Sequence, residues 1–243
     1  KFNNTSIFFD GSVKLTSAEN SAFTRGTGDW TLEFWIYKTE PLTNHSIMMQ
    51  QDTSGGNNGF QVEFNSSKVT LYNYEWDDDY DIIAQANSAE AVNTWNHYAF
   101  VRASGTTKMY ANGTEVASAS DTSTHTQTGS GSNSVCTIGR AWKGTNYTNE
   151  ARWKGSIADF RVVKGTAVYT SAFTPPTEPL TAITNTVLLT CNTPYIAGQV
   201  RAAAGSGFTV DHDDYKKIYT VPSSPYPVQA QWDSTKHGGS VSF

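Results

Sequence analysis

Apolar and polar residues alternate along most of the chain, and this pattern predicts β-strands. In "WTLEFWIY" (residues 30–37) the even positions carry large apolar side chains, while Thr31 and Glu33 occupy odd positions. "FQVEF" (residues 60–64) alternates in the same way. Because side chains two residues apart share one face of a sheet, both segments are predicted to be strands with one buried side.

A turn signal between two strand-like flanks predicts a hairpin. Asn112-Gly113 interrupts "TKMYANGTEVAS", and this dipeptide supplies the positive φ angles that a two-residue type I′ turn requires. Strand patterns continue in "SKVTLYNY", "WNHYAFVRA", "SVCTIGRA", "IADFRVVKG" and "TVLLTC", which makes about ten strands in all. We therefore predict an all-β fold, an antiparallel two-sheet sandwich of the jelly-roll type. "AVYTSAF" could hold one helical turn, which Pro175-Pro176 would end.

The composition and the periodicity of the chain change after Cys191. The segment that follows is richer in Pro and Gly and less periodic, with one hairpin predicted around "FTVDHDDYKKIYTV". We therefore assign residues 1–192 to a compact domain and residues 193–243 to an extension. The extension ends on "SVSF", which has the same order of small, apolar, variable and Phe residues as "SIFF" at residues 6–9. We expect this terminal strand to open a further copy, to complete a neighbour or to close the chain's own sheet.

Composition and charge narrow the range of partners. The formal net charge is -5 and the chain has no basic run, so nucleic acid is not an expected partner. No apolar stretch approaches the ~20 residues of a membrane helix, so we expect no membrane insertion. Cys136 and Cys191 both lie in apolar, strand-like runs. Two free buried thiols are the favoured interpretation, and a single disulfide is the alternative.

Acidic residues are concentrated in "YEWDDDYD" (residues 74–81). Asp77, Asp79 and Asp81 alternate there, so they would repel one another on a strand but could converge on calcium in a loop. A solvated hairpin tip is the favoured interpretation, so no cofactor is expected and calcium is the alternative. The closely spaced carboxylates of a β-glucanase strand are not found in the sequence, and we predict no catalytic residues.

The tryptophans divide into two groups. Trp30, Trp35 and Trp95 fall within strand patterns and are predicted to pack in the core or on a sheet. Other aromatic and amide side chains lie in polar segments, where a ring can stack on a sugar and an amide can bond its hydroxyl groups. The candidates for glycan contact are Trp76, Trp142, Asn146, Tyr147 and Trp153. Packing or contact with a neighbouring subunit is the alternative for these rings.

Several segments, taken together, resemble a known family. They are, in order, "GDWTLEFWIY", "WNHYAFVRASGTTKMYANGTEVAS", "IGRAW", "WKGSIADFRVVKGTAVYTSAFTPPTEPL" and "NTVLLTC". This series resembles the concanavalin A-like, laminin-G-like jelly-roll domains over roughly residues 5–192. More narrowly, it resembles the version found, often in tandem, in tail-fibre and virion-surface proteins of bacteriophages.

The resemblance implies a function and a setting. It implies a non-enzymatic structural or adhesion module on a phage virion surface, as part of a tail fibre, a capsid fibre or a decoration protein. The expected partners are identical subunits, neighbouring virion proteins and cell-surface glycan. A secreted or cell-surface carbohydrate-binding adhesin module is the alternative, with an extracellular location, and a glucanase-like glycoside hydrolase is the least favoured interpretation.

Overall fold

The structure is a computed structural model in which the chain forms two antiparallel β-sheets. It describes residues 1, 6–11, 13–18, 23–41, 44–52, 59–65, 67–74, 80–87, 92–124, 134–139, 152–192 and 209–212. The predicted all-β sandwich is confirmed. Within these ranges no helix has the length and apolar character needed to cross a membrane.

The described residues contain fourteen strands. They are β1 (Ile7–Asp10), β2 (Val13–Ala18), β3 (Trp30–Lys38), β4 (Asn44–Asp52), β5 (Gly59–Asn65), β6 (Lys68–Tyr74), β7 (Tyr80–Asn87), β8 (Trp95–Ala103), β9 (Thr106–Ala111), β10 (Thr114–Ser120), β11 (Ser134–Ile138), β12 (Lys154–Lys164), β13 (Thr186–Thr190) and β14 (Thr209–His212). Sheet A has the order β1-β12-β3-β8-β9-β10, with β13 also paired to β12. Sheet B has the order β14-β2-β11-β4-β5-β6-β7.

The outer edge of β12 is shared by two short strands. β1 pairs with its first half, where Ile7 lies opposite Ile157. β13 pairs with its second half, where Thr190 lies opposite Phe160. The two strands therefore lie one after the other along β12.

The core lies between the two sheets and is built by alternate side chains. Phe34 of β3 stacks on Phe160 of β12 with ring centroids 5.4 Å apart. Trp30 of sheet A meets Phe60 of sheet B edge to face at 5.5 Å. Each of these side chains is fully buried, which stabilises the fold by about 1.5–3 kcal/mol per large apolar residue. The inward alternation predicted for β3 and β5 is confirmed.

Both cysteines are buried and neither forms a disulfide, so the favoured prediction is confirmed. Removal from water raises the pKa of the Cys136 thiol to about 12. Burial also raises the pKa of Cys191. Both residues therefore behave as small apolar side chains.

The predicted hairpin forms at Asn112-Gly113. Asn112 has a φ of 49° and Gly113 a φ of 81°, the positive values that the turn requires. Gly113 has a second role, because a Cβ at this position would lie 1.8 Å from the carbonyl oxygen of Phe173. The hairpin tip thus contacts a segment that crosses sheet A.

That segment, residues 166–183, is called the strap below. It has no regular secondary structure, so the helical turn considered for "AVYTSAF" does not form. The strap covers the outer face of sheet A, and Thr31 and Glu33 on that face are fully buried. The expectation of only one buried side was therefore wrong for β3, which is buried on both faces.

The extension contributes one described strand. β14 pairs antiparallel with β2, with Val210 opposite Leu15. It therefore extends sheet B of the same chain at that edge. The rest of residues 193–243, including the terminal "SVSF", lies outside the described residues.

Candidate functional site

The strap is joined to sheet A by hydrogen bonds along its length. Thr31 Oγ1 donates to the carbonyl of Thr166 at 3.0 Å and accepts from the amide of Val168 at 2.9 Å. The amide of Phe173 donates to the carbonyl of Gly113 at 2.9 Å. The strap thus occupies the central part of this sheet face, from which ligands are excluded.

A buried polar cluster lies beneath the strap. Glu33 Oε2 accepts a 2.8 Å hydrogen bond from the Tyr169 hydroxyl and lies 3.3 Å from His97 Nε2. Arg161 Nε donates to Glu33 Oε1 at 2.8 Å, and Arg161 Nη1 donates to the carbonyl of Thr181 at 2.9 Å. The cluster joins two points of the strap to three strands of the sheet.

The charges in this cluster compensate one another. Burial alone would raise the pKa of Glu33, but the hydrogen bond with His97 and the positive charge of Arg161 outweigh burial and lower it. Burial and the adjacent Glu33 carboxylate raise the pKa of Tyr169. Glu33 is therefore ionised and Tyr169 keeps its proton at neutral pH. With Glu33 and His97 fully buried, the cluster has a structural role and no access for a substrate.

The outer face of sheet B is different in character. The polar face, as it is called below, is formed by Glu63, Lys68, Tyr72, Ile82 and Gln85. Tyr72 lies directly opposite Ile82, whose side chain is 50% exposed. Lys68 is exposed, and the remaining three side chains are half-buried. An aromatic and an aliphatic side chain therefore lie side by side among hydrogen-bonding groups.

Hydrogen bonds fix the orientation of the polar groups on this face. Lys68 Nζ donates to Gln85 Oε1 at 2.6 Å, and Gln85 Nε2 donates to Thr70 Oγ1 at 2.9 Å. Gln61 Nε2 donates to Glu63 Oε2 at 3.2 Å. Thr70 and Gln61 are buried at the base of the network. The amide of Gln85 and the carboxylate of Glu63 are thus held in place before any ligand arrives.

Most of the residues proposed from sequence lie outside the described part of the chain. These residues are Trp76, Asp77, Asp79, Trp142, Asn146 and Tyr147. Asp81 belongs to β7, where it pairs with Asn73, and the structure describes its backbone alone. The glycan and calcium assignments of these residues stay predictions. Across the described ranges, no three His, Cys, Asp or Glu side chains are grouped so that they could hold a metal ion.

Trp153 is the exception, and its assignment was wrong. Its side chain is fully buried and belongs to the core between the sheets. The ring centroids of Trp153 and of Phe64 in sheet B are 5.8 Å apart. The backbone amide of Trp153 donates to the carbonyl of Gly139. Because no face of the ring reaches solvent, Trp153 cannot stack on a sugar.

The residues of the polar face were not singled out from sequence. Tyr72 and Gln85 lie in segments that the apolar pattern assigns to strands. A signal was present in "SKVTLYNY", where Lys68, Thr70 and Tyr72 alternate with two buried apolar residues. An alternating row of polar and aromatic residues on one side of a strand is typical of a sheet face that contacts water or a ligand.

The fold defines the class of protein. Two seven-stranded antiparallel sheets that pack face to face form a concanavalin A-like sandwich. Residues 9–171 match the Laminin_G_3 family, described as the concanavalin A-like lectin/glucanases superfamily. This match covers more than half of the chain, and the chain belongs to that family. No curated protein matches the sequence.

Solved structures share the fold at low sequence identity. One is a Bacteroides ovatus protein named as a candidate carbohydrate-binding protein, with 16% identity and a TM-score of 0.54; the match covers 86% of this chain and 60% of that one. Another is the CBM40 domain of the Ruminococcus gnavus IT-sialidase bound to α2,3-sialyllactose, with 13% identity and a TM-score of 0.52. That match covers 68% of this chain and 92% of the domain. The chain thus spans less than two thirds of the Bacteroides protein.

Proposed function

We propose that this domain is a non-catalytic carbohydrate-binding module and that the polar face of sheet B contacts the sugar. The observation that carries the proposal is the contrast between the two outer faces. The strap covers the centre of sheet A, whereas sheet B presents Tyr72 and the half-exposed Ile82 among fixed hydrogen-bonding groups. Sugars combine apolar C–H faces with hydroxyl groups, which is the combination that this surface complements.

Support for the ligand class also comes from proteins with the same fold. The Bacteroides ovatus protein is named for carbohydrate binding, and the Ruminococcus gnavus domain was solved with sialyllactose. At 16% and 13% identity these relationships support the fold, and the ligand itself is part of our proposal. The polar groups named above are held in fixed orientations by hydrogen bonds, which favours recognition of hydroxyl groups over burial of an apolar partner.

The proposed module has no catalytic role. Glycoside hydrolysis uses two carboxyl groups on opposite sides of the scissile bond. Among the described side chains of sheet B, Glu63 is the only carboxylate. Glu33 is buried beneath the strap in a fixed ion pair with Arg161. Binding without bond cleavage is therefore the function that these residues support.

We place the module outside the cell, on the surface of a virion next to identical copies. The support is the resemblance of "WKGSIADFRVVKGTAVYTSAFTPPTEPL" to domains of phage tail-fibre and virion-surface proteins. The test is the assembly state of the full natural polypeptide by native mass spectrometry. Homotrimers or tandem copies would support this setting, and a single-copy monomer would contradict it.

Affinity electrophoresis tests the binding proposal. The wild-type chain would be run through gels that contain mixed-linkage β-glucan, arabinan or galactomannan, and assayed on an array that includes sialyllactose. We expect retention or an array signal that falls about tenfold in Tyr72→Ala, which corresponds to about 1.4 kcal/mol of lost binding energy. Ile183→Ala is the matched control, because this side chain is 40% exposed on the strap. No signal with any glycan, or equal loss in both variants, would overturn the proposal.

A further inference from the structure

A second aromatic surface lies at the end of sheet A that the strap does not occupy. Tyr37 of β3 and Trp95 of β8 are directly opposite each other, with ring centroids 5.5 Å apart and planes inclined at 53°. They share the outer face of the sheet with Glu33 and His97, which contact the strap. Both rings are half-buried, unlike Trp30 in the core.

Polar residues of the turn before β8 adjoin this pair of rings. Asn93 and Thr94 precede Trp95, and the amide of Asn93 donates to the carbonyl of Lys38 at the end of β3. Asn93 and Thr94 are exposed. The rim patch is defined by Tyr37, Asn93, Thr94 and Trp95.

The chemistry of the rim patch indicates what it binds. Its two rings are partly exposed, and its two exposed polar side chains are an uncharged amide and a hydroxyl group. The nearby ion pair between Lys154 Nζ and Glu40 Oε1, at 3.0 Å, carries no net charge. A neutral sugar residue satisfies both features, because it has an apolar face for the rings and hydroxyl groups for the polar side chains. Nucleic acid, which also stacks on rings, is disfavoured by the net charge of -5.

We propose that the rim patch is a second carbohydrate site, and that one domain bridges two segments of neutral polysaccharide. The inference rests on the proposed function of the polar face. The rim patch belongs to the outer face of sheet A and the polar face to the outer face of sheet B, so the sites lie on opposite sides of the sandwich. Two separate segments of polysaccharide can therefore bind at the same time, one on each face. A module with two such sites cross-links polysaccharide even as a monomer.

Light scattering and titration test this inference together. The probe is whichever of mixed-linkage β-glucan, arabinan and galactomannan retains the wild-type protein best, used as soluble polymer for scattering and as hexasaccharide for calorimetry. We expect two hexasaccharides to bind per wild-type chain and one to bind per Trp95→Ala chain. The scattering that wild type produces with the polymer should fall at least about tenfold in Trp95→Ala, because one remaining site cannot bridge.

Controls separate this inference from the proposed function. Tyr37→Ala repeats the test without changing a tryptophan, and Val116→Ala removes a 40% exposed apolar side chain from β10 and should behave as wild type. If Trp95→Ala and Tyr37→Ala both keep two hexasaccharides and full scattering, the inference is overturned. If wild type binds one hexasaccharide and Tyr72→Ala abolishes it, the inference fails while the proposed function stands. If wild type binds none of the probes or array glycans, the proposed function fails first.

Discussion

Tyr169 donates a 2.8 Å hydrogen bond to a carboxylate oxygen of Glu33, across 136 positions of sequence. This bond joins the strap to the middle of sheet A. Because Glu33 is fully buried, its negative charge depends on every donor around it. The position of the strap over sheet A and the stability of the buried Glu33 charge therefore depend on each other.

Removal of the Tyr169 hydroxyl should destabilise the domain. In Tyr169→Phe the ring remains and can still stack on Phe173, but Glu33 loses one donor. We expect a loss of about 1–3 kcal/mol in the free energy of unfolding, the usual range for a buried group left short of a partner. Urea denaturation followed by fluorescence measures it. Tyr37→Phe is the control, and equal stability of both variants would show that the bond contributes little.

Asp159 should weaken the fold when it ionises. Burial raises its pKa from 3.8 to about 6, although the amide of Leu180 donates a hydrogen bond to it. Since the folded-state pKa lies above the unfolded one, the native state loses stability as the pH rises from about 4 to about 6, and the loss persists above that range. Asp159→Asn keeps an acceptor for Leu180 and removes the charge.

We therefore expect Asp159→Asn to be more stable than wild type at about pH 8, by up to about 3 kcal/mol, given about 1.4 kcal/mol per unit of pKa difference. The gain should nearly vanish near pH 3.5, where the wild-type carboxyl is mostly protonated in both states. Urea denaturation at both pH values measures the difference. Asp10→Asn, at an exposed position, is the control. A variant less stable than wild type at pH 8 would mean that the charge of Asp159 supports the fold.

Gly113 should be far less tolerant of alanine than Gly26. Both have positive φ, 81° and 61° respectively, so alanine carries a backbone cost of about 1–2 kcal/mol at either position. Only at Gly113 would the new methyl group lie 1.8 Å from the Phe173 carbonyl, whereas nothing lies within 4 Å at Gly26. We expect Gly113→Ala to be less stable than Gly26→Ala by about 1–3 kcal/mol. Thermal unfolding compares the two, and equal melting temperatures would contradict close packing of the strap on the hairpin.

The two thiols should be unreactive until the domain unfolds. Cys136 and Cys191 are buried, and the pKa of Cys136 is raised to about 12, so very little thiolate is present at neutral pH. Ellman's reagent should therefore detect neither thiol in the native protein and both in denaturant without reductant. If the denatured, unreduced protein gives no reaction, the pair is oxidised and the free-thiol assignment is wrong.

Features of the fold that depend on local sequence could be predicted. Alternation in residues 30–37 and 60–64 identified the core faces of β3 and β5, and Asn112-Gly113 identified a hairpin. Each of these signals lies within a few residues of the structure that it specifies. Local periodicity and turn chemistry act over that same distance.

Features that depend on distant contacts could not be predicted. Glu33 has the pattern of a solvent-facing strand residue and is buried because Tyr169 and the rest of the strap return over it. Trp153 was assigned to a polar loop because of the residues before it. Trp153 and Ile157 of β12 lie an even number of positions apart, so they fall on the same face, and both side chains face the core. Alternation continued back from Ile157 through Gly155 would have placed Trp153 on the core face.

The arrangement of β1 and β13 has a consequence for how this domain can be combined with others. Their abutting ends, at Ile7 and Thr190, put the first and last strands of sheet A at neighbouring points along β12. The part of the chain from β1 to β13, without the edge strand β14, therefore has adjacent ends, and it could be inserted into a surface loop of a carrier without separating the ends of that loop. The inserted domain would project from the surface of the carrier, and the fold of the carrier would not be interrupted.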